Sequence, residues 1–462
     1  MSRRSMLKNG AAALAGGAAL LPGRDLAAAQ AAGVQGGGTS NGAGRRFRGW
    51  VSRGFGANTT ALTDLTLLPI GGRQVLIRTE VTQCCYTMAA RMLGTQDPPV
   101  FSLRNSAPRI NDPNLPTIQG HGGVGVVEAV GPQVRRVQPG DRVMVVVTPQ
   151  CGQCRHCLRG RADRCQAQIN ATAVPIATTA DGTQVVQAGN IGGMAEVMVA
   201  FEESCVPLFT NADSADLAML HCVGGTGLGT TMTLSPVEPG SNVAVFGAGP
   251  VGLSAVQGAR IAGAARIVVV EPIRARRDLA LKVGATHVFD PNAEGANLVR
   301  RIQELCKGPS DRVFGGGRRA NFNASGIAAH IGPDFVIEAV GYDRATPKLE
   351  AGPDPTGMLQ LQQVWDVCPT GGHICTTGVG YPPEATVSFP ANQWTNGSKT
   401  HHPSQFGGIS PLRDIPRFVE LLDRGLYDAK SLITTRYPLD KAMDAYRDVV
   451  DRTTVTAMIM VS

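Results

Sequence analysis

The chain has 462 residues, more than one ordinary hydrophobic core accommodates, which predicts two domains. Apolar residues make up 43% of it and charged residues 17%, no apolar run reaches membrane-spanning length, and no basic block is interleaved with aromatic residues. Despite the net charge of +7, this composition argues against a membrane-spanning protein and against a nucleic-acid-binding one.

The first residues have the features of an export signal. Residues 1–29 carry +3 of the net charge, place Arg3 and Arg4 near the start, continue in an Ala/Gly/Leu run and end in Ala27-Ala28-Ala29. This order is typical of a signal peptide, and the paired arginines resemble the twin-arginine type. We predict a twin-arginine-type signal peptide at 1–29, a flexible linker at 30–46 and a periplasmic or secreted protein; a disordered extension is the alternative.

From Arg45 to about Leu208, short apolar runs alternate with Gly/Pro breaks, which predicts a β-rich domain. Within it lies a Cys-x2-Cys-x2-Cys-x7-Cys array, whose closely spaced thiols suit one tetrahedral zinc. Disulfides are the alternative in an exported protein, but twin-arginine substrates fold in the reducing cytosol, which favours zinc. The predicted zinc lobe spans residues 149–166, with the ligands Cys151, Cys154, Cys157 and Cys165.

Three further segments flank this array: two adjacent cysteines at 84–85, a Gly-His-Gly-Gly stretch at 120–123 and a His-Cys pair at 221–222. Each alone has an ordinary structural explanation. In this order, and with the array between them, they resemble the zinc-dependent medium-chain alcohol dehydrogenases over nearly the whole length after the linker. The resemblance implies an α/β fold with a GroES-like β-rich catalytic domain (47–222 and 399–462) and a Rossmann doubly wound parallel-sheet NAD-binding domain (223–398).

By motif, the resemblance assigns the catalytic zinc to Cys85, His121 and Cys222, and it implies two Zn2+ ions per chain. Cys84 is an alternative ligand, but the family's spacing from this cysteine to a hydroxyl residue favours Cys85. Two thiolates and one imidazole leave the fourth zinc position open for an alcohol oxygen. Thr87 stands where the family places a hydroxyl that passes the alcohol proton outward, because a hydroxyl can accept and donate at once.

Three positions depart from the family pattern. Gly122 stands where a Glu usually follows the zinc-binding His, Met88 replaces an acidic residue that often follows the relay hydroxyl, and Ala90 replaces a relay histidine. These departures bear on substrate and pH behaviour more than on zinc binding.

The second half carries a dinucleotide-binding pattern. The apolar run Ser241–Phe246 leads into Gly-x-Gly-x-x-Gly, then into a helix-like segment and a second apolar run that ends at Glu271. The glycines permit a tight turn, close approach of a pyrophosphate and helix–strand packing, and Glu271 is expected to accept hydrogen bonds from the adenosine ribose. The predicted cofactor-binding residues of this motif are Gly247, Ala248, Gly249, Pro250, Val251, Gly252 and Glu271.

The acid at the end of the second run favours NAD over NADP. Arg274, Arg276 and Arg277 follow it and could hold a 2′-phosphate, although a solvated helix face is the preferred interpretation. The resemblance adds cofactor contacts at Thr226 and at Val379, where the family's backbone meets the nicotinamide amide.

Two segments, 308–333 and 343–358, interrupt the later α/β alternation. The first is longer than an ordinary connection, and both are interpreted as disordered or oligomer-contact loops, with a cofactor-covering role as the alternative. The second resembles an extra segment of the glutathione-independent formaldehyde dehydrogenases, a branch that keeps its NAD tightly bound. His401 and His402, near the predicted return to the first domain, are expected at the surface or at a pocket rim.

The resemblance implies hydride transfer between an alcohol or aldehyde and NAD, in a homodimer or homotetramer. Because an exported enzyme meets no free NAD pool, we hypothesise a captive cofactor. Besides the small-molecule substrate, the expected partner is the twin-arginine export machinery. The alternatives are an NAD-containing aldehyde dismutase of the formaldehyde type and, from another class, a non-catalytic zinc-stabilised nucleotide-binding protein.

Overall fold

The structure, a computed structural model, describes residues 41–94, 115–169, 172–307, 331–342, 347–353, 358–379, 381, 385–404 and 406–462. The predicted signal peptide at 1–29, linker residues 30–40 and most of the interruption at 308–333 lie outside these ranges, as do residues 343–346 and 354–357 of the second interruption. Residues 41–462 form one compact unit. None of the helices in the described ranges combines the length and apolar character needed to cross a membrane.

Eighteen strands of the described ranges are labelled in chain order: β1 Arg46–Ser52, β2 Thr60–Leu67, β3 Gln74–Gln83, β4 Thr117–Ile118, β5 Gly123–Val130, β6 Arg142–Val145, β7 Ala177–Thr178, β8 Gln184–Gln187, β9 Val197–Phe201, β10 Cys205–Pro207, β11 Asn242–Phe246, β12 Arg266–Val270, β13 His287–Phe289, β14 Phe335–Glu338, β15 His373–Thr376, β16 Thr400–Pro403, β17 Thr435–Pro438 and β18 Ala457–Met460. The α-helices span Tyr86–Leu93, Arg155–Leu158, Gln166–Ile169, Ser214–Ala218, Val223–Gly229, Pro250–Ile261, Arg274–Val283, Pro291–Glu294, Leu298–Leu305, Met358–Val367, Ala391–Asn396, Pro411–Asp423 and Ala442–Val450.

The first half is built from β-structure. Strands β1, β2, β7, β8 and β4 close into a barrel, and a second sheet has the order β10-β6-β5-β3-β18-β17, with β9 also paired to β3. The last strands of the chain complete this sheet, since β18 runs antiparallel to β3 with Met458 opposite Gln83. The GroES-like β domain predicted from the sequence is therefore confirmed, including the return of the C-terminus to it.

The second half contains a six-stranded parallel sheet with the order β13-β12-β11-β14-β15-β16. Numbered within the domain this is 3-2-1-4-5-6, the order of dinucleotide-binding domains. Both faces are covered, because Val243 and Val245 point into one apolar cluster with the helix Pro250–Ile261. Ala244 and Phe246 point into another, with Leu298–Leu305 and Met358–Val367. The near-continuous apolar strands of this sheet follow from burial on two faces, and the predicted doubly wound Rossmann domain is confirmed.

Two predicted boundaries were wrong. Arg46, placed in the linker, is the first residue of β1 and lies opposite Thr66, and the backbone of Asn41 already accepts a hydrogen bond from Ile70. The strand β16, assigned to the catalytic domain by the boundary at 399, pairs in parallel with β15 and forms the edge of the nucleotide sheet. An edge strand needs little apolar sequence, so Thr-His-His-Pro carries no strand signal.

Candidate metal and cofactor sites

The three residues assigned to the catalytic zinc converge in the structure. Cys85 follows the end of β3, His121 precedes β5, and Cys222 precedes the helix Val223–Gly229. Strands β3 and β5 pair antiparallel, which brings the first two segments together, and the connection to the nucleotide domain supplies the third. One donor atom of each residue lies within 4.8 Å of the others, with both cysteines buried and the histidine half-buried.

The contacts inside this cluster define a metal-type donor set. His121 Nδ1 lies 3.8 Å from Cys222 Sγ. Hydrogen bonding with the Cys222 thiol lowers the pKa of Cys85 well below its ordinary value, and the same contact raises the pKa of Cys222. A tetrahedral zinc at bond lengths of about 2.0–2.3 Å needs donors roughly 3.3–3.8 Å apart, and the His121–Cys222 separation lies at the upper end of that range, so this donor set suits a Cys2His zinc with one open position.

Thr87 lies in the first turn of the helix Tyr86–Leu93. Its hydroxyl lies 3.1 Å from Cys85 Sγ and 3.4 Å from His121 Nε2. The hydroxyl therefore lies against two of the three donors. Cys84, the alternative ligand, is instead buried in an apolar cluster with Trp50 and belongs to neither group of metal-type donors found among the described residues.

The backbone conformation and packing at position 122 require glycine. Its φ is +90°, and a Cβ added there would collide with the carbonyl oxygen of Val145. The amide of Gly122 donates to Gly192 O at 2.6 Å, and its carbonyl accepts from the Thr82 hydroxyl at 2.6 Å. The glutamate that the family usually has at this position does not fit this backbone, so its absence is built into the local fold.

The four cysteines of the predicted lobe form a second cluster, again with donor atoms within 4.8 Å of one another. Cys154 caps the short helix Arg155–Leu158, and its sulfur accepts from the Cys157 amide. Although burial raises it, hydrogen bonds from the amides of Gln166 and Cys157 lower the pKa of Cys154 to about 6, which favours a metal-binding thiolate. All eleven cysteines are free thiols, which supports zinc over disulfides.

The glycine-rich turn after β11 has the shape that a pyrophosphate needs. Gly247 has a φ of +93°, and a Cβ on Gly252 would collide with the carbonyl of Gly247, so both positions require glycine. No atom lies within 4 Å of a Cβ built on Gly249, which leaves space beside the N-terminus of the next helix. Pro250 occupies the first turn of that helix. Backbone amides and the helix dipole there favour an anion.

Glu271 directly follows β12 and is 4% exposed. One carboxylate oxygen accepts from the amide of Ala248 at 2.7 Å, and the other accepts from Ile273 at 3.0 Å. Each oxygen keeps a second lone pair, so the carboxylate can hold the glycine turn and still accept from a ribose hydroxyl.

The solvated helix face predicted for the three arginines holds only for Arg274, whose side chain is 87% exposed. Arg276 donates to the carbonyl of Thr454 at 3.0 Å. Arg277 donates to two backbone carbonyls and pairs with Asp290 at 3.1 Å. Two of the three guanidinium groups are thus committed to the protein.

The two remaining predicted cofactor residues, Thr226 and Val379, already make hydrogen bonds within the protein. The Thr226 hydroxyl donates to the carbonyl of Cys222 at 2.7 Å, which ties the first turn of the helix Val223–Gly229 to the metal cluster. The carbonyl of Val379 accepts from the amide of Tyr342 at 2.9 Å, and the Val379 side chain is 36% exposed.

Glu338 is a fully buried acid at the end of β14 that no sequence motif singles out. It ends an apolar run that is typical of a buried strand. The signal that could have identified it is a lone carboxylate at the carboxyl end of a buried parallel strand, where ligands bind in this fold.

His401 and His402 lie on the edge strand β16. His402 Nε2 is 3.1 Å from His373 Nδ1, and His401 Nε2 is 3.0 Å from the Thr376 hydroxyl. Neither belongs to the metal-type donor groups of the described residues.

Known protein families match the chain in both its β domain and its nucleotide-binding half. The alcohol dehydrogenase GroES-like domain matches residues 71–210, and the zinc-binding dehydrogenase family matches residues 250–424. A geraniol dehydrogenase of Castellaniella defragrans is 34% identical over 344 residues, which covers 72% of this chain and 80% of that protein. An NDMA-dependent alcohol dehydrogenase of Amycolatopsis methanolica is 29% identical over 354 residues, covering 75% and 85%.

Among solved structures, benzyl alcohol dehydrogenase from Acinetobacter calcoaceticus superposes with a TM-score of 0.71 at 24% identity, over 90% of this chain and 100% of that chain. This likeness concerns the fold. The sequence relatives and the two domain matches, which lie on the β domain and on the parallel sheet, carry the assignment further. The chain belongs to the zinc-dependent medium-chain alcohol dehydrogenase family.

Proposed function

We propose that this protein oxidises an alcohol, or reduces the corresponding aldehyde, at a zinc ion held by Cys85, His121 and Cys222, with NAD as the hydride carrier. The observation that carries the proposal is the convergence of these donors within 4.8 Å beside the Thr87 hydroxyl. The donors come from the β domain and from the connection to the dinucleotide sheet, so substrate and cofactor can meet there.

The residues of the chain divide the work. A zinc ion bound in such a site acts as a Lewis acid on a hydroxyl or carbonyl oxygen. Thr87 Oγ1 accepts the alcohol proton and passes its own outward, a role that its position against Cys85 and His121 supports. The oxidised nicotinamide supplies the hydride acceptor. The glycine turn and the following helix N-terminus hold the pyrophosphate.

The second cluster has a different role in this proposal. Four thiolates fill a tetrahedral zinc and leave no open position, so the lobe stabilises structure and takes no part in the chemistry. Its attachment to the rest of the molecule supports this role. Ser410 donates to the carbonyl of Gly160 at 3.3 Å, and Gln150 accepts from the amide of Leu412 at 3.0 Å.

The preference for NAD over NADP rests on Glu271. A 2′-phosphate would be placed against a buried carboxylate, and two of the three following arginines are already paired within the protein. The test compares kcat/KM for the two nucleotides. A preference for NADP would overturn this part of the proposal.

The proposed location and cofactor handling go together. Arg3 and Arg4 support export by the twin-arginine route, and an exported enzyme would need a captive NAD, recycled by dismutation or by an outside acceptor. A relative whose name records NDMA dependence supports an acceptor other than free NAD. Denaturing the purified mature protein should release NAD(H). A protein that is purified without bound nucleotide and oxidises alcohol when NAD is added would contradict the proposal of a captive cofactor.

Export has its own test. Replacing Arg3 and Arg4 by lysine should leave folded protein in the cytosolic fraction, whereas wild-type protein should be found outside it. Secretion of the double-lysine variant at wild-type levels would contradict the assignment. Assembly as a homodimer or homotetramer stays a prediction, to be measured by light scattering.

The function itself is tested by metal analysis combined with turnover. The purified protein should hold two zinc ions per chain and should consume primary alcohols, with either NAD or NDMA present as the final acceptor. One zinc per chain without hydride transfer would instead favour a non-catalytic nucleotide-binding protein. Equal yields of acid and alcohol from an aldehyde, without added NAD, would identify a dismutase.

A further inference from the structure

We propose that Glu338 is a positioning residue for the nicotinamide end of the cofactor. It acts by clasping two backbone turns at the carboxyl edge of the parallel sheet. The inference rests on the proposed use of a nicotinamide dinucleotide, and it adds a residue that the glycine motif and the metal cluster do not include.

The clasp consists of Glu338 and the backbone amides that it binds. One carboxylate oxygen accepts from Val340 at 2.8 Å and from Gly341 at 2.7 Å, in the turn that follows β14. The other oxygen accepts from Gly378 at 3.0 Å, in the turn that follows β15. The carboxylate therefore joins two turns that lie far apart along the chain.

Further bonds connect the same two turns. The carbonyl of Glu338 accepts from both the amide and the hydroxyl of Thr377, each at 2.8 Å. The carbonyl of Val379 accepts from Tyr342 at 2.9 Å. There is no spare room between the turns, because a Cβ on Gly378 would collide with both carboxylate oxygens of Glu338.

The position of the clasp in the sheet points to the nicotinamide. The strand order reverses between β11 and β14, and dinucleotides bind across the crevice at that point. Glu271, which follows β12, marks the adenosine side, so β14 and β15 form the opposite wall. The glycine turn lies against this wall, because a Cβ on Gly247 would be 2.9 Å from the carbonyl oxygen of Ala339.

The clasp presents apolar surface to solvent at this wall. Val340 and Val379 flank the clasped backbone and are 42% and 36% exposed, whereas the acid between the two turns is fully buried. Exposed valines beside a rigid backbone suit the flat face of the nicotinamide ring.

A carboxylate confined to its own turn would be a simple structural cap. Glu338 does more, because its second oxygen reaches the neighbouring strand's turn and thereby sets the spacing between the two. Burial raises its pKa, while the three amide donors oppose this and favour the charged form. Charged groups are rarely buried in a parallel strand unless they are fully bonded, so an apolar residue would be the simpler choice for stability alone.

The experiment replaces Glu338 and measures binding of two ligands that differ only at the nicotinamide. NAD+ and ADP-ribose are titrated by calorimetry onto the full-length mature protein, after bound nucleotide has been removed with activated charcoal. Glu338→Gln turns one acceptor oxygen into a donor, which leaves at least one of the three amides unpaired. Glu338→Asp keeps the charge but shortens the reach, so that the bond across to Gly378 is lost.

A matched control is Glu202→Gln. Glu202 is also buried and accepts from two backbone amides, Arg135 at 2.8 Å and Arg136 at 2.9 Å, but it lies in the β domain. Its replacement should cost stability without changing either dissociation constant, which separates a general loss of stability from a local effect on the cofactor.

Both Glu338 variants should raise the dissociation constant of NAD+ roughly tenfold and leave that of ADP-ribose within about twofold. Retained binding of ADP-ribose also shows that the nucleotide domain is folded. Unchanged NAD+ affinity, or an equal loss for both ligands, would overturn the inference while leaving the proposed function intact. Failure of the wild-type protein to bind either ligand would overturn both.

Discussion

The Cys151–Cys165 cluster takes its four sulfurs from one short loop, whereas the cluster of Cys85, His121 and Cys222 collects its donors from three separate segments, the last two 101 positions apart. Three of the four loop cysteines are half-buried, but both cysteines of the dispersed cluster are buried. The local cluster can wrap an ion with little help from the rest of the chain. The dispersed one exists only when three segments that lie far apart along the chain have folded together.

This difference explains why each cluster suits its proposed task. A local loop with four thiolates closes around its metal and stabilises one part of the fold. A cluster assembled from distant segments can leave one position open and place it where a second domain supplies the cofactor. Loss of metal should therefore have different consequences at the two sites.

The largest expected effect comes from breaking the dispersed cluster. Cys85→Ser removes one of its two thiolates and should lower kcat/KM by roughly 10³-fold or more, because a Lewis-acid zinc supplies several kcal/mol. The zinc content should fall from two ions per chain to one, as measured by atomic absorption. Cys84→Ser, on the adjacent buried cysteine outside the cluster, is the matched control and should keep both ions.

Breaking the local cluster should affect stability instead. Cys154→Ser removes a thiolate that two amides stabilise, and metal binding in such loops is coupled to folding. We expect a loss of several kcal/mol in the free energy of unfolding, measured by denaturant titration, with kcat of the folded fraction nearly unchanged. A variant with normal stability and lost activity would reverse the roles assigned to the two clusters.

The same contrast shows how much the sequence could predict. The lobe follows from spacing alone, because its ligands are neighbours in the chain. The glycine motif was equally local, and its strand–turn–helix context lies where it was predicted. The dispersed cluster depended on a family resemblance, since only the pairing of β3 with β5 brings Cys85 to His121.

What the sequence could not predict also has a physical explanation. The edge strand β16 has almost no apolar residues, so the sequence pattern does not predict its place in the nucleotide sheet. Glu338 ends an apolar run, and its partners are backbone amides in the turns after two different strands, which a sequence does not identify. The hydrogen bonds of Arg276 and Arg277 likewise depend on backbone carbonyls that only the folded chain brings within reach.

Within the dispersed cluster, the hydroxyl next to the donors can be tested separately from the metal. Thr87→Val keeps the shape of the side chain but removes the proton-accepting oxygen, and it should lower kcat on the order of 10²-fold. Thr87→Ser should retain most of the activity, and both variants should keep two zinc ions per chain. Full activity of the valine variant would place the proton path elsewhere.

The backbone beside His121 can be tested with a pair of glycines. Gly122 and Gly140 have nearly the same φ, +90° and +92°, but only Gly122 has an atom in the way, the carbonyl oxygen of Val145. Gly140→Ala should cost about 1–2 kcal/mol of unfolding free energy from the positive φ alone, and Gly122→Ala should cost more. Gly122→Glu should behave like the alanine variant, with no gain in kcat. Equal losses at the two positions would show that the backbone near His121 adapts.

The smallest expected effect concerns the place where the lobe faces the nucleotide sheet. Burial lowers the pKa of His402, and the nearby His373, His401 and Arg161, the last of them in the lobe, lower it further. Below an ordinary histidine pKa of about 6.5, the unfolded chain then binds more protons at His402 than the folded chain does. The contribution of His402 to the free energy of unfolding is therefore fully present above that pH and is lost as the pH falls.

His402→Asn should flatten this dependence when the free energy of unfolding is compared at pH 7.5 and pH 5.5. Acid also releases metal from thiolate clusters, which destabilises the protein by a separate route. That loss is common to the variant and the wild type, so the difference between their two slopes isolates the histidine. A variant with the slope of the wild type would mean that His402 does not have a lowered pKa in the folded protein, and the acid sensitivity would then come from other groups.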